Sequence, residues 1–347
     1  MALALAVGET PGNQLLLLGI ETSCDDSCAA VVASDGQVRS NVVSSQARLH
    51  DRYGGVVPEV ASRHHLELIN AVVDDALDRA GVTFDEIGTV AVTRGPGLIG
   101  ALLVGLATGK SLAAAQRKPF VAVDHLCGHV AANYLGAEPL EPPFLCLIAS
   151  GGHTLLASVE DRSGYRVLGQ TRDDAAGEAL DKAARMLGLG YPGGAEIDRL
   201  ARAGDAAAFD FPVGMRDSGD LDFSFSGLKT ALVYAVRSLG PDGTAERLAD
   251  LAASYQRAVV DALIVKLELA LDLTAARSLA LGGGVAANSR LRAEVTRICE
   301  RRGARLKIPP PELCTDNAAM IASAARYLPA VPYPEFLGFD AFARTAA

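Results

Sequence analysis

Leu15-Leu16-Leu17-Leu18-Gly19-Ile20-Glu21-Thr22-Ser23-Cys24-Asp25-Asp26-Ser27-Cys28-Ala29-Ala30-Val31-Val32 decides how the rest of the chain is read. Its first part is a continuous apolar run, the pattern of a strand buried on both faces. A polar turn over residues 22–27 follows, and the chain returns through a second apolar strand. Backbone N–H groups and hydroxyls in such a turn can meet a phosphate, and Asp25 and Asp26 at its tip can hold a cation or take a proton. Ordinary turn chemistry also favours aspartate here, so this stretch alone leaves both readings open.

The pattern then recurs. Phe144-Leu145-Cys146-Leu147-Ile148-Ala149 is a second buried strand, Ser150-Gly151-Gly152-His153-Thr154 a second tight turn, and residues 155–160 a second return strand. A third strand is expected at 37–44 in the first half and at 165–170 in the second. The halves read as a diverged duplication whose hairpin tips face a ligand between them. The first half continues with a helix at 59–79, a strand at 87–93, the turn Arg94-Gly95-Pro96-Gly97, a small-residue helix at 98–116 and a strand at 120–123. The second continues with helices at 173–187 and 195–203, one containing Lys229, and another at 245–271. A strand at 278–281 runs into Gly282-Gly283-Gly284 with a helix from near Val285, then comes a strand at 306–308 and a last helix capped by residues 314–317. This order is mixed α/β, not an alternating Rossmann chain.

With 347 residues, half of them hydrophobic and 21% charged, the chain can bury a large core and is expected to form two domains. Its formal charge of -9 argues against a protein that grips nucleic acid unaided, because phosphate neutralisation needs clustered Lys and Arg. The densest basic cluster, Arg301, Arg302, Arg305 and Lys307, is expected to be a solvated helix end. Six cysteines with no CxxC pair read as reduced thiols in a cytoplasmic protein. Residues 1–6 are apolar but lack a positive flank and are broken by Gly8 and Pro11. They read as a frayed extension through about residue 14, neither a signal peptide nor a membrane span.

Val123-Asp124-His125-Leu126-Cys127-Gly128-His129 carries the second chemical signal. On a helix, His125 and His129 share one face with Cβ atoms roughly 5–6 Å apart, close enough to share a metal ion. Two buried histidines at a domain junction would give the same spacing. Arg63-His64-His65 invites a similar reading, but adjacent helical residues point about 100° apart, so a solvated face is expected. Asp316 suits a metal shell and equally suits the N-cap of the last helix.

Taken together, Gly19-Ile20-Glu21-Thr22-Ser23-Cys24-Asp25, Tyr53-Gly54-Gly55-Val56-Val57-Pro58-Glu59, Gly95-Pro96-Gly97-Leu98, Ser150-Gly151-Gly152-His153-Thr154, Asp173-Asp174-Ala175-Ala176-Gly177-Glu178, Phe223-Ser224-Phe225-Ser226-Gly227-Leu228-Lys229, Gly282-Gly283-Gly284-Val285-Ala286-Ala287-Asn288 and Cys314-Thr315-Asp316-Asn317 resemble the TsaD family, the tRNA N6-adenosine threonylcarbamoyltransferases. The resemblance runs from about Leu15 into the final helix. It implies a duplicated actin-like ATPase fold (ASKHA, RNase H-like), with two lobes around a nucleotide cleft. Residues 1–124 with 316–347 would form one lobe and 125–315 the other.

The implied activity is transfer of threonylcarbamoyl from threonylcarbamoyl-adenylate to the exocyclic amine of the tRNA adenosine just 3′ of the anticodon. By motif position the metal ligands are His125, His129 and Asp316, holding one iron(II) per subunit, with zinc also suited to such a set. The substrate segment is Ile148, Ala149, Ser150, Gly151 and Gly152, and Asp181, Gly194, Asp198 and Asn288 line the nucleotide. Asp25 or Asp26 is the candidate base. Expected partners are tRNA, a TsaB-like dimer partner and a TsaE-like ATPase, and no membrane. Two departures stand out. Cys127 lies where the family often has Glu between the histidines, and Asp26 where it often has Glu. A small-molecule kinase of the same superfold and a non-catalytic nucleotide-binding scaffold are the rival readings. A metalloprotease is a weaker one, since the HxxxH spacing lacks the Glu of a zincin helix.

Overall fold

The computed structural model describes residues 14–344, so the apolar residues 1–6 and nearly all of the expected extension lie outside it. β1 (Leu16–Glu21) pairs antiparallel with β2 (Asp26–Ala33), and β2 with β3 (Val38–Ser45). α1 (Ala47–Asp51) and α2 (Pro58–Ala80) lead to β4 (Ile87–Gly95), which runs parallel to β1. α3 (Ile99–Ala115) then leads to β5 (Phe120–Asp124), parallel to β4. α2 starts on a proline, where a missing N–H breaks no helical bond, and stops at Gly81, whose φ of 68° closes the last turn.

α4 (His125–Ala131) bridges to the second sheet, where β6 (Phe144–Ala149), β7 (Thr154–Val159) and β8 (Arg166–Gln170) rebuild the hairpin. α5 (Ala176–Met186), α6 (Gly193–Ala201), α7 (Ser226–Glu246) and α8 (Leu248–Thr274) follow. β9 (Ser278–Gly282) runs parallel to β6, and α9 (Ser289–Arg302) feeds β10 (Arg305–Lys307), parallel to β9. α10 (Pro311–Cys314) and α11 (Ala318–Ala325) close the helical part. The strand orders β3-β2-β1-β4-β5 and β8-β7-β6-β9-β10 are one topology used twice, which is the duplication expected from the two apolar hairpins.

What positions the site is the layer between the sheets. A single apolar cluster runs from Cys28, Ala30 and Val32 of β2, through Leu126 and Val130 of α4 and Met320 and Ile321 of α11, to Cys146 and Ile148 of β6. α4 and α11 therefore fill the space between the two sheets, each fully buried aliphatic side chain worth about 1.5–3 kcal/mol. α2 and α3 cover the outer face of the first sheet, and α5, α8 and α9 that of the second. Small residues set the close approach: a Cβ on Gly19 would lie 2.3 Å from the Ala318 carbonyl, and one on Gly128 would lie 2.8 Å from the Ile321 Cδ1.

Several elements differ from expectation for identifiable reasons. α5 begins at Ala176, not at 173, because Asp173 Oδ1 accepts the Phe225 and Ser226 N–H groups (2.8 and 3.2 Å) and caps α7 instead. The helix expected near Val285 is a single tight turn, and α9 proper starts after Asn288, whose Oδ1 accepts the Leu291 N–H (3.0 Å). α7 is broken at Gly240 (φ 68°), ahead of Pro241. The expected solvated face at His64 and His65 is wrong for His65, which is fully buried between Ser27 Oγ (2.7 Å) and the Cys24 carbonyl (2.9 Å). The cations of the basic cluster are engaged within the chain: Arg301 with Glu268, Arg302 with Asp272, and Arg305 and Lys307 with the carbonyls of Pro139 and Glu138. Among the described residues no helix is long and apolar enough to cross a membrane.

Candidate active site

α4 begins where it does because Asp124 Oδ1 accepts the N–H groups of Leu126 and Cys127 (2.8 and 3.1 Å), an N-cap that fixes His125 in the first turn. His129 follows one turn later, and the two rings stand 4.7 Å apart edge to face. Asp316 is not the N-cap of α11. Asn317 takes that role, its Oδ1 accepting from Met320 N–H at 3.0 Å. The Asp316 carboxylate is thereby released toward α4, with Oδ1 3.5 Å from His125 Nε2 and 3.3 Å from His129 Nε2. The three donors lie within 4.8 Å of one another. His129 is wholly buried, and neither of its ring nitrogens has hydrogen-bond geometry to any partner. A convergent imidazole pair, a carboxylate and an unsatisfied buried ring fit a divalent transition metal, and three protein donors leave coordination positions for a substrate.

The electrostatics are those of a site prepared for a cation. Burial opposes charge on His125, yet the carboxylates of Asp316 and Glu21 lift it to about 9. Burial likewise opposes charge on Asp316, but His125 and His129 hold it well below the usual carboxylate range. His129 is lowered by burial and by its charged neighbour His125, and so presents a neutral ring. A metal entering here would displace the His125 proton.

Glu21 was not singled out in the sequence, and it is the residue behind the ligands. Completely buried at the end of β1, it accepts from His125 Nδ1 at 2.9 Å, from the Thr93 hydroxyl at 2.6 Å and from the Ser23 N–H. Holding Nδ1–H leaves Nε2 free to ligate, the usual arrangement behind a metal-bound histidine. His153 was also missed. Its ring lies 6.2 Å from that of His125, and burial with the two histidine neighbours lowers it to about 4, so it stays neutral. Cys127 points away from the donors into a small hollow lined by Tyr134, Arg162 and Leu328, its thiol pushed up to about 12 by burial and Asp124.

Ile148 and Ala149 are core residues at the end of β6, so only their backbone can meet a substrate. The Ser150 N–H is tied to the His153 carbonyl (2.8 Å), whereas Gly151 and Gly152 are exposed with open space where a Cβ would sit. Ile148 pairs with Gly282, so this turn lies beside the glycine turn that follows β9. Gly283 has φ 84°, and a Cβ there would lie 2.3 Å from the Ala149 carbonyl. Gly283→Ala is therefore expected to cost at least ~2 kcal/mol, measurable by thermal unfolding.

Asp181 Oδ1 accepts the N–H groups of Gly193 and Gly194 (2.8 and 3.1 Å), and Asp198 Oδ1 accepts the Ser289 N–H and hydroxyl (3.1 and 2.7 Å). Both acids thus shape the helix starts of α6 and α9. The buried Asn288 Nδ2 is left without a partner. Across from them, Asp25 accepts weakly from the Tyr191 hydroxyl (3.4 Å), while Asp26 is half-buried with Oδ1 unpartnered. Burial and the adjacent Asp25 raise Asp26 to about 7.

Two lobes of repeated topology, with α4 and α11 in the layer between them, define a protein of the actin-like fold class. Component A of (R)-2-hydroxyglutaryl-CoA dehydratase from Acidaminococcus fermentans has this fold, with TM-score 0.55 at 14% identity over 93% of this chain and 99% of that one. So does HypF from T. kodakarensis, with TM-score 0.61 at 14% identity over 92% of this chain and 49% of that one. The family model for TsaD, tRNA N6-adenosine threonylcarbamoyltransferase, matches residues 37–323. A curated protein of that name from Symbiobacterium thermophilum is 54% identical over 90% of this chain and 91% of its own length, and one from Clostridium perfringens (strain SM101) is 50% identical over 91% and 93%. The chain belongs to the tRNA N6-adenosine threonylcarbamoyltransferase family.

Proposed function

We infer that this protein moves the threonylcarbamoyl group of threonylcarbamoyl-adenylate onto N6 of the adenosine 3′ of the anticodon, in tRNAs reading codons that begin with A, forming t6A and releasing AMP. The observation that carries the reading is the convergence of His125, His129 and Asp316 beside the open Gly151-Gly152 turn, in a chain about half identical to named members of the family along nine-tenths of its length.

The donor is a mixed anhydride and already activated. The amine nitrogen bonds to the carbamoyl carbon, the bond from that carbon to the phosphate oxygen breaks, and the amine gives up a proton. Iron(II), one per subunit, held by His125, His129 and Asp316, would supply Lewis acidity and a template for donor oxygens, and the same donor set suits zinc. The free N–H groups of Gly151 and Gly152 are placed to steady phosphate or developing negative charge. Asn288 Nδ2 offers an unused donor to the nucleotide, and the free oxygen of Asp181 an acceptor. Asp26, poised near neutrality, takes the proton, and Asp25 is the alternative acceptor beside it.

A TsaB-like partner has an apolar face available: Leu66, Ile99 and Leu103 are exposed on adjoining surfaces of α2 and α3, where Gly100 packs against Ser62. A TsaE-like ATPase completes the set. The test is incubation of the iron-loaded protein and these partners with threonylcarbamoyl-adenylate and unmodified tRNA, followed by nucleoside mass analysis. Appearance of t6A with stoichiometric AMP is expected. Phosphorylation of a small molecule from ATP with no t6A would favour the kinase reading instead.

A further inference from the structure

An acidic chain that acts on tRNA must present cations free of carboxylate partners where the RNA enters. The basic cluster near the C-terminal end of α9 is already engaged. At the mouth of the cleft the situation is different. Arg48 and Arg52 are exposed one helical turn apart on and just after α1, and the Arg52 guanidinium lies 4.7 Å over the ring of Tyr53, which is itself 49% exposed. Arg185 reaches over from α5 to cover Gly54 and Gly55, its guanidinium 2.7 Å from where a Gly55 Cβ would be. Among the described residues none of Arg48, Arg52 and Arg185 has a carboxylate within ion-pairing distance. The strip adjoins the reacting groups through Tyr191, whose N–H donates to Asp51 Oδ1 (2.9 Å) and whose hydroxyl donates to Asp25.

We propose that Arg48, Arg52, Tyr53 and Arg185 form the surface that takes the single-stranded anticodon loop of the substrate tRNA, with Tyr53 as a base-stacking platform and the arginines on the flanking phosphates. The proposal rests on the tRNA reading above. It follows from chemistry: the target adenine must be splayed out of its loop to reach a cleft, and unstacked bases are held by exposed aromatic and guanidinium planes next to free cations. A docking face for another protein would instead bury apolar area, which this strip lacks.

The test measures binding of unmodified tRNA and of an isolated anticodon stem-loop RNA to the assembled complex, as a function of salt, alongside t6A formation. Tyr53→Ala should weaken binding about 10-fold, and Tyr53→Phe should restore it. Arg48→Glu with Arg52→Glu should weaken it further and lower the salt slope by about 2, one for each phosphate no longer neutralised. All variants should keep wild-type metal content and unfolding temperature. Charge reversal at Arg301 and Arg302 should change nothing. Wild-type affinity and salt slope in the strip variants would overturn the assignment. So would loss of partner assembly with RNA affinity intact, because the strip would then be a protein interface. If the wild-type complex bound tRNA through the strip yet formed no t6A, the functional reading would fail and the surface would stand.

Discussion

An Asp316→Ala protein is expected to lose its metal and its transfer activity together. Asp316 supplies the only carboxylate facing both Nε2 atoms among the described residues, and it comes from a different part of the chain than α4, so it is what closes the donor set. Changing a residue behind a metal ligand typically costs 10–100-fold in affinity. Losing a ligand outright should cost more, and transfer should fall by at least about 10³-fold. Metal content by elemental analysis and t6A formation by mass analysis read the two effects separately. His129→Ala should behave alike, and the double variant should be no worse than either single one, because residues acting as a unit are not additive. Glu21→Gln should give a milder loss of about 10–100-fold in metal affinity, since it loosens His125 without removing it. Full metal and normal transfer in Asp316→Ala would sink the site assignment.

The duplicated hairpins were legible because strands covered on both faces must be largely apolar, and β1, β2, β6 and β7 are. The histidine pair was legible because helical periodicity alone puts residues 125 and 129 on one face. What the sequence hid were long-range relations. Glu21 closes an apolar run and looks like the first polar residue of a turn, yet it sits wholly buried. The available signal was that an acid at the end of a strand buried on both faces must find partners. His65 was misread because helical angles say which way a residue points and not what lies there; the Cys24 carbonyl and Ser27 of a distant strand make that face interior. Asp316 was ambiguous because two capping residues stand side by side, and only the conformation of Asn317 shows which one holds the helix. No local pattern indicated that α4 and α11 would be sandwiched between the sheets. That follows from Gly19 and Gly128 allowing both helices to approach, which is visible only once they are paired.

Asp26→Asn should reduce transfer by about 10²–10⁴-fold and at the same time make the protein more stable at alkaline pH. The two effects share one cause. Burial and Asp25 raise Asp26 to about 7, so the fold favours its protonated form. In the unfolded chain the group ionises near 4, so stability is lost as pH rises from about 4 to about 7 and stays low above that. Asparagine mimics the protonated state and removes this loss, giving a gain of up to ~4 kcal/mol at pH 8 by chemical denaturation. Catalysis runs the other way. A base works only when ionised, so kcat/KM in the natural protein should rise with pH up to about 7 and then level off, and the asparagine variant should lose that limb. Asp26→Glu keeps a titrating carboxylate with one more methylene of reach, and should keep the limb with an altered midpoint. An Asp26→Asn protein with natural activity and a matching pH profile would move the proton to Asp25.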